Sequence, residues 1–129
     1  MDFTVTLTPR FYETDALGHI NNAAIAAWFE VVRIRWLDSL LEESSGVDRN
    51  WVLAAISLDF VAETFYGSDV CARVTSARAG NSSLTVACEM TQNNQLTVRG
   101  EAVLVHLDLN SKQKLRIPDS LRDQLGNAR

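Results

Sequence analysis

Cysteine, histidine and proline are all scarce here, with two of each in 129 residues. Two cysteines, Cys71 and Cys88, cannot form a disulfide framework. Both fall in alternating apolar stretches, where a free thiol behaves as a small buried hydrophobe. Two histidines supply a zinc site poorly, so neither a metal nor another cofactor is expected. Long apolar runs are missing too. The stretch 23–29 is the longest, and a membrane-spanning helix needs about 20 such residues. Positive charge is short: the net charge is -4 and the pI about 5.1. A general nucleic-acid binder carries a basic stripe, so nucleic acid is not an expected partner, although a local basic patch for a small anion remains open. The first residues lack the basic flank and apolar core of a secretion signal, which makes a cytoplasmic location the expectation.

What remains is an ordinary globular composition, 47% hydrophobic and 22% charged. Repeats, low-complexity tracts and linkers are absent, and residues 1–129 read as one domain able to bury its own core. Residues 3–8 alternate apolar and polar, which predicts a strand. A polar loop follows, and Asn21 or Asn22 offers a helix N-cap. Residues 22 to about 43 read as one long helix, closed by the stretch around Ser44, Ser45 and Gly46. Its first half has no polar side, so burial all round is expected. Four alternating segments follow, at 51–64, 69–79, 82–92 and 95–109. Turns are marked by Gly80-Asn81 and Asn93-Asn94. The last segment runs through Leu96 and Val98, then changes phase to Val103, Val105 and Leu107, which predicts a β-bulge at Gly100. Pro118 opens a short amphipathic helix. The fold class is therefore α+β: a curved antiparallel sheet of about five strands wrapped around a long helix, with a short C-terminal helix.

The chemistry concentrates in Tyr12-Glu13-Thr14-Asp15-Ala16-Leu17-Gly18-His19-Ile20-Asn21-Asn22, which joins the first strand to the helix. A helix start presents unpaired N–H groups and partial positive charge, a ready site for a developing oxyanion. A carboxylate at Asp15 can fold back beside it, with Gly18 giving the loop freedom to turn. The plain alternative is equally readable: Asp15 as a turn residue, His19 as a surface side chain, Asn22 as a cap.

The run from Arg10 to Asn22, followed by Trp28-Phe29-Glu30-Val31-Val32-Arg33, resembles the signature of the 4-hydroxybenzoyl-CoA thioesterase family, in its YbgC/FadM-like branch. The resemblance extends to the element order, the Gly80-Asn81-Ser82-Ser83 turn and the closing Arg116-Ile117-Pro118. It implies a hotdog fold and hydrolysis of an acyl-CoA. It implies that Asp15 acts as general base or nucleophile and that the backbone N–H at Asn22 polarises the thioester carbonyl. His19 then orients water or touches substrate. It also implies a homodimer or homotetramer with CoA along an interface between copies. The family's aromatic-substrate members carry a different loop at Gly18-His19-Ile20-Asn21, so the acyl group is not carried over.

The chemistry is coherent on its own terms. A thioester carbonyl is electrophilic, and its thiolate leaving group has a conjugate acid of pKa about 8.5, so no strong general acid is required. Asp15 could activate water or attack directly to form a mixed anhydride. Glu30, three residues before Arg33, has the spacing of a helical ion pair, the alternative being a catalytic carboxylate on the helix. For the polyanionic CoA, Arg78, Ser82, Ser83 and Arg116 are the chosen contacts, with Arg73, Arg99, Lys112 and Lys114 as further cations. Each is equally readable as a solvated strand end. Two other classes fit the same fold: a non-catalytic module that holds an acyl thioester, and a dehydratase or hydratase using a histidine–carboxylate pair.

Overall fold

The computed structural model describes residues 3–43 and 50–126. The predicted helix closure at Ser44, Ser45 and Gly46 lies outside them. The elements run β1 (Phe3–Leu7), a single 3-10 turn (Phe11–Glu13), α1 (Asn22–Glu43), β2 (Trp51–Phe60), β3 (Val70–Ala79), β4 (Ser83–Gln92), β5 (Gln95–His106) and α2 (Asp119–Leu125). The strands form one antiparallel sheet in the order β1-β3-β4-β5-β2. Tight hairpins make β3–β4–β5 consecutive, and the turn at Asn93 and Asn94 uses positive φ at both residues, which asparagine tolerates. The long helix and curved sheet are those of a hotdog fold.

Strand periodicity sorts the side chains. Val70, Ala72 and Val74 on β3, and Leu84, Val86, Cys88 and Met90 on β4, face α1 and are buried. From α1 they meet Ile25, Trp28, Phe29, Val32 and Trp36. Burying each large side chain contributes about 1.5–3 kcal/mol, so this layer dominates the fold's stability. Ile117 and Leu121 seal one end from the C-terminal segment.

Four expectations need correction. The first half of the helix is not buried all round: Ala23 and Ala27 are exposed and Ala24 and Ala26 half-buried, because one curved sheet covers one side of a helix and leaves the other open. Cys71 is exposed, since it shares the outer face of β3 with Arg73, opposite Val70 and Ala72. Along β5 the core side is Val98, Gly100, Ala102, Leu104 and His106, so no phase change occurs at Gly100. Gly100 pairs in register with Cys88 and Leu58, while the bulge sits at Thr97, which is skipped between the pairs Met90–Val98 and Thr91–Leu96. Gly100 is small because the Phe29 ring lies on it; a Cβ there would stand 3.0 Å from Phe29 Cε1 and Cζ.

β2 is an edge strand whose apolar residues pair with the helix-facing side of β5, Leu53 with Leu104, Ile56 with Ala102 and Phe60 with Val98, yet stay partly open to solvent. Leu53, Ile56 and Phe60 are 46%, 42% and 49% exposed. A long apolar edge is a template for pairing with another strand.

Candidate active site

The loop between the 3-10 turn and α1 is closed at its base. Glu13 O accepts the Asn21 backbone N–H (2.8 Å) and its Nδ2 (2.8 Å). Asn21 Oδ1 in turn accepts from Ala24 N (2.8 Å), so Asn21 is the helix N-cap. That leaves the Asn22 side chain exposed and out of the cap, and the Asn22 N–H without a partner among the described residues. Within the loop, Thr14 bridges Ile20, and Asp15 N donates to His19 O (2.7 Å). Gly18 completes the reversal at φ 82, a conformation that favours glycine.

Asp15 is a turn residue and a candidate reactive group at once. Its Oδ1 accepts the backbone N–H groups of Leu17 (2.9 Å) and His19 (3.0 Å). Oδ2 accepts no hydrogen bond among the described residues and stays available. The carboxylate is exposed and lines an open cavity of about 520 Å³ together with His19, Asn22, Ile25, Phe60, Val61 and Glu63.

The wall opposite the loop is the connection leaving β2. The bulge at Thr97 turns this end of the sheet, and Thr97 O accepts both Val61 N (2.8 Å) and Ala62 N (3.0 Å). Ile20 N then donates to Thr64 O (2.8 Å), and His19 bridges Phe65. Buried Gln92 fixes Phe65 by accepting its N–H at Oε1 (3.0 Å) and donating from Nε2 to its carbonyl (2.7 Å) and to Ser68 O (2.9 Å). The His19 ring meets Phe65 edge-on at 5.0 Å, and its Nε2 lies 2.6 Å from Glu63 Oε2.

Asp15, His19 and Asn22 therefore share one cavity. Glu30 is elsewhere: it lines a separate cavity with Ile34, Leu37 and Leu53, and approaches Arg33 Nη2 at 3.9 Å. Burial lowers the Arg33 pKa, and Glu30 opposes that by favouring the cation.

The four residues expected to hold CoA, Arg78, Ser82, Ser83 and Arg116, lie together around the β3–β4 turn, at the far end of the sheet from Asp15. Gln92, beside the cavity, and Ser83 are the two ends of β4, and a ten-residue strand spans about 30 Å. The turn is held from α2: buried Arg122 donates from Nη2 to Gly80 O (2.5 Å) and Asn81 O (3.1 Å). Arg116 pairs with Asp119 at 3.0 Å and Arg78 is largely solvent-facing. Of the other cations, Arg73 and Arg99 both reach Glu89, each at 3.5 Å, on the outer sheet face.

Sequence reading misses Glu63, Phe65 and Gln92. Nothing local marks them; only the pairing of the 61–65 segment with the loop brings them to the cavity.

The profile of the thioesterase-like superfamily matches residues 9–125. Among solved structures, a predicted thioesterase from Bacillus stearothermophilus is 33% identical, with 99% of this chain and 96% of that chain covered, at a TM-score of 0.87. A thioesterase from Thermus thermophilus, complexed with coenzyme A and Zn, is 28% identical over 98% of this chain and 94% of that one, at a TM-score of 0.81. A 1,4-dihydroxy-2-naphthoyl-CoA thioesterase from Synechocystis shares the fold at 21% identity and a TM-score of 0.81, over 98% and 97% of the two chains. The uncharacterized protein YsmA of Bacillus subtilis is 32% identical over 77 residues, which is 60% of this chain and 52% of that protein. The match thus spans about half of that relative's length.

Proposed function

This chain belongs to the thioesterase-like superfamily, and from that premise we propose that it hydrolyses an acyl-CoA thioester to the free acid and CoA. The observation that carries the reading is that Asp15, with Oδ2 free, and Asn22, with its N–H unpartnered among the described residues, line the same cavity. The carbonyl oxygen docks at the helix start, where the N–H and the helix dipole stabilise the charge that develops on it. Asp15 takes a proton from water as the water oxygen attacks the carbonyl carbon. The tetrahedral intermediate collapses, the C–S bond breaks, and the thiolate leaves with the electron pair and takes the proton that Asp15 held. Attack by Asp15 itself, through a mixed anhydride later opened by water, uses the same two groups. Neither route needs a cofactor. The loop sequence supports placement in the 4-hydroxybenzoyl-CoA thioesterase group, in its YbgC/FadM-like branch, and the CoA complex of the Thermus relative supports CoA as the leaving group.

The reading includes a homodimer, in a cytoplasmic protein, paired through the β2 edges. Two antiparallel β2 strands about a two-fold axis put the Phe60 end of one beside the Trp51 end of the other. Trp51 pairs with His106, whose N–H bonds Ser82 O at the β3–β4 turn. The partner's turn, with Arg78, Ser82, Ser83 and Arg116, is thereby brought toward the end of the sheet that carries Asp15. This is how one CoA can meet two groups that a single chain holds about 30 Å apart.

A panel of acyl-CoAs of varied length and shape, assayed by release of free thiol, tests the proposal. Turnover on at least one class is expected. CoA binding without hydrolysis of any member would make the chain a binding module instead.

A further inference from the structure

The His19 and Glu63 side chains meet at 2.6 Å, and the reaction outlined above does not use that contact. Glu63 comes from the β2–β3 connection, far from the loop in sequence. Its position is built by the Ile20–Thr64 hydrogen bond, the His19–Phe65 bridge and the Gln92 side chain that holds Phe65 at both ends of its backbone. These backbone and side-chain bonds, with the Phe65 ring contact, place the His19 imidazole beside the Glu63 carboxylate on the wall of the cavity that holds Asp15.

An ionised carboxylate only accepts hydrogen bonds, so in the neutral imidazole the Glu63 contact places the proton on Nε2. Nδ1 is then the lone-pair nitrogen. It has no partner among the described residues. The His19 backbone N–H already binds Asp15 Oδ1 (3.0 Å), so the imidazole and the carboxylate belong to one rigid unit.

We propose that Glu63 is a positioning residue that holds His19 in the Nε2–H tautomer, so that Nδ1 accepts a hydrogen bond from the hydrolytic water. The water uses one hydrogen to bind Nδ1 and gives the other proton to Asp15 Oδ2. His19 keeps its protonation state throughout, and no electron pair passes through Glu63. The contact has the form of the carboxylate–histidine pair of other hydrolases, with the difference that the Glu63 side chain is 60% exposed where theirs is buried. This inference rests on the acyl-thioester reading of the site.

The test compares Glu63→Ala, Glu63→Gln, His19→Ala and the His19→Ala/Glu63→Ala double variant in thiol-release kinetics. Imidazole nitrogen and carbon shifts are followed by NMR in parallel. Only two histidines are present, so His19 is assignable by comparison with His19→Ala. Glu63→Ala should lower kcat by about tenfold to a hundredfold while KM moves less than about twofold. The double variant should be no slower than His19→Ala alone, since Glu63 acts only through the imidazole. The NMR signature should change from the Nε2–H form to a mixture in Glu63→Ala. Glu63→Gln should regain kcat to the extent that it restores that form. A Glu63→Ala enzyme with wild-type kcat, or losses that multiply in the double variant, would overturn the role while leaving thioester hydrolysis intact. If the wild type hydrolyses no acyl-CoA, the thioesterase reading fails on its own. The tautomer comparison still decides, because an unchanged His19 signature in Glu63→Ala removes the hold, and a lost one upholds it.

Discussion

Phe29 and Gly100 meet as ring on backbone: Gly100 leaves no room for a Cβ between the ring and Leu58 Cδ2, each 3.0 Å from where that atom would stand. Gly100→Ala should gain up to about 1 kcal/mol of strand propensity. It should lose about 1–3 kcal/mol to overpacking, because the ring it would meet is buried, Phe29 being only 3% exposed. The net expectation is destabilisation, seen as a lower urea midpoint with an unchanged slope. A stabilised variant would mean the ring yields freely.

Asp15→Asn keeps the Oδ1 acceptor of the turn and removes the base. Turnover should fall at least ~10²-fold, with CoA affinity and melting temperature retained. Glu30→Gln is the control. Its carboxylate lines another cavity and lies 3.9 Å from Arg33, so its loss should cost stability and leave turnover largely intact. The reverse pattern, with Asp15→Asn active and Glu30→Gln dead, would transfer catalysis to the helix.

On the β2 edge, Ile56→Asp places like charges near the two-fold axis of the proposed dimer. Light scattering should show a dimer for the wild type and a monomer for the variant at micromolar concentration, with CoA binding lost alongside. A monomeric wild type would remove the partner's turn from the site. If CoA does bridge two copies, mixing Asp15→Asn with an Arg78→Ala/Arg116→Ala variant should recover about a quarter of wild-type activity at low substrate, from the one intact site in each mixed dimer.

Cys88 predicts an alkaline limit. Burial pushes its thiol up to about 11 from 9.0, against the opposing pull of the Arg33 guanidinium. The unfolded chain therefore releases this proton near pH 9 while the folded chain still holds it. The contribution is fully present below about pH 9 and is lost as pH rises through about 11. Two pKa units correspond to about 2–3 kcal/mol. Urea midpoints measured from pH 8 to 11 should fall less steeply in Cys88→Ala than in the wild type.

Much of the fold is legible in the sequence because its causes are local. The start of α1 follows from Asn21, which caps it, and from the apolar run that begins at Ala23. β3 and β4 follow from Val70 to Val74 and Leu84 to Met90. Asp15 and Asn22 stand out because loop and helix start are adjacent in sequence. The β5 phase misleads because Val103 and Val105 are apolar yet lie on the outer face, and Gly100 carries no hydrophobicity to mark the inner one. Cys71 misleads for a similar reason. Asn21 and Asn22 are the same residue type, so only the bond to Ala24 N tells the cap from its neighbour. Glu63 is invisible because its meaning depends on a partner far back in the chain.

The double grip of Glu13 O on Asn21 makes the intervening loop a cassette. Entry and exit are pinned at one point, and the helix is capped by the same residue that closes the gate. Between them Ile20 is part of the core and Thr14 and His19 are tied by bridges, so the side chains free to change without moving the sheet or the helix are those of the exposed tip, Ala16 and Leu17. Doubling the length of a closed flexible loop costs only about 0.6 kcal/mol, well below what the core supplies. Variation at that tip can thus reach the rim of the cavity while the pinned base keeps Asp15, His19 and the helix start in place.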